Sequence, residues 1–200
     1  NTTMGPVAPL KGHRYRLGVE STVGPLHLQT LTADLRRYWR LNPVTFAVRG
    51  LHMARYGRDA ASGIVPPFFV GFPTLVRGYA AETYRSFADG NVLPNQLQGS
   101  RMAVANAELR LSLSGHRQMA LLQSHRLPTE LTLFTDMGYA WGQVPGVDAG
   151  GRATTPVVST GLSLRLNLLG FAVLEPFWAI PWQRTDRSLG VFGLNVAAGW

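Results

Sequence analysis

Few residues in this 200-residue chain are of a kind and spacing that could do bond chemistry. It contains no cysteine, which excludes disulfides, thiolate nucleophiles and thiolate metal sites. The five histidines are His13, His27, His52, His116 and His125. His116 and His125 fall in one predicted turn, but no carboxylate is spaced with them as a metal motif requires; they read as a basic, solvated turn. No Gly-x-Ser-x-Gly elbow, phosphate-cradling loop or zinc-protease helix occurs. What remains is a pair of carboxylates, Glu108 and Asp136, and an arginine, Arg77, in a Gly- and Pro-rich stretch. Two carboxylates could act as general acid and base, but beside an arginine they are more often structural. The expectation is a non-enzyme with no cofactor and no metal.

The segments that must position these groups alternate apolar and polar residues with period two, which is the period of a strand and not of a helix. From Asn106 to Ser114, the residues Asn106, Glu108, Arg110, Ser112 and Ser114 alternate with Ala107, Leu109, Leu111 and Leu113. From Gly161 to Leu168, Gly161, Ser163, Arg165 and Asn167 oppose Leu162, Leu164, Leu166 and Leu168. His13–Val23, Leu31–Leu41, Val44–Tyr56, Thr129–Trp141, Phe171–Trp182 and Val191–Trp200 follow the rule less cleanly. That makes roughly eight strands of about 10 residues or more, long enough for a tilted strand to cross a bilayer. Short connections at Asn42-Pro43 and Leu169-Gly170 contrast with long ones at Gly57–Gly99 and Gln143–Thr155, as in a meander with short periplasmic turns and long outer loops. Gly115–Arg126 would be an unusually long turn on the short side. Trp39 and Trp200 fall at the periplasmic ends, and Trp141, Trp178 and Trp182 near the outer ends, where interfacial aromatics belong.

Composition permits this reading without demanding it. The hydrophobic fraction is 46% and the mean hydropathy +0.02, values that a soluble globule shares with a barrel whose apolar residues are every second one. The longest uncharged apolar stretch, Gly63–Val76, is too short for a membrane helix and contains Pro66, Pro67 and Pro73. Asn1–Pro9 has neither the basic start nor the apolar core of a signal peptide, so a mature product or a fragment is expected. The net charge is +8, with Lys11 the single lysine. The arginines are scattered, which argues against a nucleic-acid partner and leaves anionic lipid.

Four local sequences together resemble a known family. Val76, Arg77, Gly78 and Tyr79 lie in the long loop, after the run from Phe68 to Leu75. Ala107, Glu108, Leu109 and Arg110 follow, then Phe134, Thr135, Asp136, Met137 and Gly138. The chain closes on Phe192, Leu194, Val196, Ala198 and Trp200 at alternate positions. This order resembles the carboxyl-terminal barrel half of the BamA/TamA superfamily, the bacterial surface antigen family, over approximately His13 to Trp200.

The resemblance implies an all-β, antiparallel, up-and-down transmembrane β-barrel in the bacterial outer membrane, as one module over residues 1–200. Residues 1–12 would be an extension or linker and 57–99 an extracellular or lumen loop. It implies that Arg77 enters the lumen and meets Glu108 and Asp136, that Gly78 permits a tight loop tip beside Tyr79, and that Phe192, Leu194, Val196 and Trp200 form the insertion signal read by the outer-membrane assembly machinery. The implied role is membrane anchor or part of a protein-insertion or translocation barrel. A passive pore or attachment barrel is the first alternative, and a soluble basic β-barrel binding a ligand or nucleic acid the second. Full-length members have about twice as many strands and added periplasmic domains. A closed barrel of about eight strands is filled by its own side chains. The long loop therefore stays outside, or the barrel is widened by a second copy or by a missing amino-terminal half. The expected partners are outer-membrane lipid and lipopolysaccharide, the assembly machinery, and that completing half.

Overall fold

The computed structural model describes residues 10–60, 62–81, 94–115, 120–123, 127–142, 155–168, 172–184 and 190–198. Eleven strands are present among them: β1 (Gly12–Thr22), β2 (Leu28–Leu41), β3 (Val44–Tyr56), β4 (Phe68–Phe69), β5 (Gln98–Gly99), β6 (Arg101–Gly115), β7 (Leu122–Gln123), β8 (Thr129–Trp141), β9 (Val157–Leu168), β10 (Ala172–Pro181) and β11 (Val191–Ala198). The long strands form one antiparallel sheet in the order β1-β2-β3-β6-β8-β9-β10-β11. Each long strand pairs with its neighbour in sequence once the short pieces are set aside, as a meander requires. The sheet is open, because β1 and β11 do not pair with each other.

The sequence dictates the strands through their two faces. In β8, Glu130, Thr132, Phe134, Asp136 and Gly138 point to the concave side and Leu131, Leu133, Thr135 and Met137 to the convex one, and burial alternates residue by residue. The convex face exposes Leu17, Leu35, Leu109, Leu133, Leu162 and Leu194. A row of apolar side chains with nothing packed on it is the surface a strand presents to lipid. The outward apolar band therefore does not form the core.

The core lies on the concave side and is built from the long loop. Val70, Val76, Tyr79 and Leu97 of the loop pack on Leu51, Met102, Val104, Ala140 and Val157 of β3, β6, β8 and β9. The concave face thus changes character along the strands. It is apolar toward the long-loop end, then charged below from Asn106 onward. The alternation between Asn106 and Ser114 captures only the charged part of β6, and the strand begins five residues earlier, at Arg101.

Two short pairs complete the loop and the turn region. β4 pairs with β5 inside the loop, and β7 pairs in parallel with the end of β6. That second pair occupies part of the long turn expected on the short side; His116 and His125 lie outside the described residues. At the other end, Asp59 joins the loop foot to the β1–β2 connection. The N–H of His27 donates to Asp59 Oδ2 at 2.8 Å, and this bond holds the half-buried carboxyl below its ordinary range.

Candidate functional site

Arg77 stands at the boundary between the apolar and charged parts of the concave face. Its Nε donates to Asp136 Oδ2 at 2.7 Å and its Nη2 to Asp136 Oδ1 at 2.8 Å, a two-pronged pair. Nη2 also donates to Glu108 Oε1 at 2.9 Å, and Nη1 to Glu175 Oε1 at 2.8 Å. The plane of the guanidinium rests on Phe134, its carbon 3.5 Å from the ring centroid. The arginine therefore has anions around its edge and a π-face beneath it, and each suits the planar, delocalised cation. Asp136 is fully buried and also accepts from the Arg77 backbone N–H and from Asn106 Nδ2.

The loop backbone is held as firmly as the arginine. Carbonyl oxygens of Pro73, Thr74, Leu75 and Gly78 accept from Asn195 of β11, Arg49 of β3, Asn106 of β6 and Arg184 beyond β10. Asp34 orients Arg49 through bonds of 3.0 and 3.1 Å. The Tyr79 hydroxyl lies 2.9 Å from the Val158 carbonyl and 2.6 Å from Gln183 Oε1, and it accepts from the Gln183 N–H. A loop inside a lumen needs such partners, since its peptide groups are cut off from bulk water.

Glycine makes the close approach possible at two points. A Cβ at Gly138 would lie 2.6 Å from Val76 Cγ2 and 3.3 Å from Val70 Cβ. Gly78 has φ of 90°, a conformation that side chains with a Cβ rarely adopt, and it packs toward Ala179. Gly138→Val should overpack this contact at a cost of about 1–3 kcal/mol. Limited proteolysis of the loop in detergent micelles would read it: faster cleavage than in the unmutated protein, and faster than in Gly138→Ala. Unchanged cleavage would mean that the loop seat does not depend on that gap.

Beneath Arg77 a second charged tier fills the floor. Arg110 Nη2 lies 2.6 Å from Glu108 Oε2. Arg165 stands 3.6 Å from Glu108, 3.8 Å from Glu130 and 4.0 Å from Glu175. Arg165 Nε, Glu130 Oε2 and Arg110 Nη1 are buried there without a hydrogen-bond partner.

Arg77, Gly78, Tyr79, Glu108 and Asp136, singled out from the sequence, are brought together in this one site. The sequence reading missed Glu175, Asn106, Glu130 and Arg165. Glu175 had a usable signal: it is the one carboxylate in an otherwise apolar strand and shares the inward parity of Val173 and Phe177. Phe192, Leu194 and Val196 are exposed on the convex face of the edge strand β11; Trp200 lies outside the described residues. Among the described residues no group of three or more His, Asp or Glu side chains is arranged to hold a metal.

A sheet of barrel-type strands with an arginine loop seated on its concave face has a counterpart among known families. The family model for the Omp85 superfamily domain matches residues 1–199. The chain belongs to the Omp85 superfamily. Membership joins it to the outer-membrane protein insertion and translocation barrels, and the all-β, antiparallel fold agrees. No curated protein sequence matches the chain. Within this Omp85 domain, Arg77 and its three carboxylates occupy the middle of the concave face, where loop and wall meet.

Proposed function

We propose that this domain is an outer-membrane barrel module that anchors in the membrane and takes part in inserting or translocating other polypeptides, without bond chemistry of its own. The observation that supports this reading is the loop from Pro66 to Tyr79, seated inside the sheet by Arg77 and held to β3, β6 and β11. Such a loop holds the free-edge strand β11 at a set distance from the rest of the wall, which is useful where a client strand is to pair with that edge.

The test uses the purified chain in lipid vesicles and, as probe, a urea-unfolded eight-stranded outer-membrane barrel. Vesicles containing the domain should fold the probe faster than empty vesicles, and Arg77→Met should remove the gain. Ion conductance without any gain in probe folding would favour the passive pore or attachment barrel instead. A chain that is folded and monodisperse without detergent or lipid would point to the soluble alternative.

We further propose that a second copy completes the wall. The polar side chains of β1 on the concave face and the apolar ones on the convex face are both exposed, with Leu17 at 75%. A strand with water on one side and lipid on the other belongs to the wall of an open lumen, and unpaired edges are not tolerated in a bilayer. The chain has no native cysteine, so Leu17→Cys with Leu194→Cys introduces the only thiols. Oxidation in native membranes should give a disulfide-linked dimer. A chain that stays monomeric after oxidation, with its thiols free or joined within one chain, would reject self-pairing.

A further inference from the structure

The convex face is apolar over most of its height, and at its long-loop end an arginine interrupts it. On β6 the inward residues are Met102, Val104, Asn106 and Glu108, so Arg101 points outward. Register aligns Ala54, Arg101 and Trp141 in one row across β3, β6 and β8, and His52, Ala103 and Tyr139 in the next. The Arg101 guanidinium carbon lies 4.7 Å from the Tyr56 ring centroid. His52 stacks on Trp141 at 5.7 Å and Tyr139 on Trp141 at 5.3 Å, with interplanar angles of 21° and 17°. Ala54 is fully covered beneath these taller side chains, and Ala103 is half-buried between them.

Arg101 is in none of the ion pairs among the described residues, and its Nε is buried without a hydrogen-bond partner. On a lipid-facing wall a membrane phosphate can supply the counter-charge. The aromatic stack marks this level as the headgroup zone, where an outward arginine is tolerated. A guanidinium fork matches a phosphate in two-pronged fashion, and flat stacked rings offer a face for a sugar ring.

We propose that Arg101, with His52, Tyr56, Tyr139 and Trp141, forms a binding site for the phosphorylated sugar headgroup of an outer-leaflet saccharolipid, the lipid A part of lipopolysaccharide. The site rests on the outer-membrane reading above, and it fixes the height and rotation of β3, β6 and β8 in the outer leaflet, directly behind the loop seat. Arg37, the outward cation near the opposite end, lies 5.0 Å from the ring of Trp39 and serves as the internal control.

The experiment is native mass spectrometry of the full chain in detergent, titrated separately with lipid A, with lipid A stripped of its phosphates, and with inorganic phosphate as competitor. Lipid A should be retained, and the phosphate-free form should bind about tenfold more weakly. Arg101→Gln should show a loss of the same size for lipid A, while Arg37→Gln binds as the unmutated chain does. Equal binding of the two lipids, unchanged binding by Arg101→Gln, or an equal loss in Arg37→Gln overturns the site. Full displacement by inorganic phosphate overturns the lipid as its ligand. Should Arg101→Gln fail to fold, the comparison of the two lipids on the unmutated chain still decides. Solubility without detergent is scored separately and refutes the membrane reading itself, whatever the titration gives.

Discussion

Arg77→Met is expected to unseat the loop. The substitution keeps an unbranched apolar stem but removes one cation from among Asp136, Glu108 and Glu175. Breaking a buried ion pair by deleting one partner costs about 3–5 kcal/mol, because the remaining charge has neither water nor counter-ion. Here three carboxylates share the loss, so the effect belongs at the upper end of that range. Arg77→Lys should retain part of the stability: the charge survives, but an ammonium cannot present a planar fork to Asp136 while resting on Phe134. The measurements are denaturant midpoints in micelles and hydrogen exchange of the loop amides. Protection at Val76 to Tyr79 should collapse in Arg77→Met and recover in part in Arg77→Met with Asp136→Asn. An Arg77→Asp chain that folds and exchanges like the unmutated one would remove the basis of the proposed function.

The second large effect is expected at Arg165. This residue has no close hydrogen bond to a carboxylate, yet it stands within 4.0 Å of Glu108, Glu130 and Glu175. Three arginines (Arg77, Arg110, Arg165) face four carboxylates (Glu108, Glu130, Asp136, Glu175) in the two tiers, so each cation is needed. Arg165→Met leaves Glu130, which is buried, without its ion-pair partner at 3.8 Å. The cost should be about 3 kcal/mol, the lower end of the range for a broken buried pair, since the contacts are long. Adding Glu130→Gln should restore most of it, because a neutral amide no longer needs the cation. A double variant as unstable as Arg165→Met alone would mean that Arg165 supports the wall by packing and not by charge.

The two predictions differ in how visible their residues were beforehand. Arg77, Glu108 and Asp136 stood out because a family pattern named them and because alternation put both carboxylates on one face. Glu130 and Arg165 obeyed the same alternation, as does Glu175, but nothing local distinguishes a lumen charge that meets a loop from one that meets water. The beginning of β6 was hidden for a related reason. Met102 and Val104 are apolar and inward, whereas Asn106 and Glu108 are polar and inward. The sign of the alternation reverses within one strand, and a reversal reads as a strand end. Its cause is the loop, whose Val70, Val76 and Tyr79 cover the upper part of the concave face.

By itself, the sequence determined the strands, their order and the faces of the charged residues, since period-two patterning and turn spacing are local properties. It also determined the family, through short motifs in a set order. Only the tertiary structure decided where the loop goes. Seating it inside the sheet turns Arg77 from one cation among many into the hub of a buried cluster that includes Glu175, 98 residues away. Pairing over such distances depends on how the sheet curves around its contents, and no window of the sequence holds that information. The same holds for Arg101: its outward position follows from counting residues, but its neighbours His52, Tyr56, Tyr139 and Trp141 come from the two flanking strands, β3 and β8, and meet only through register.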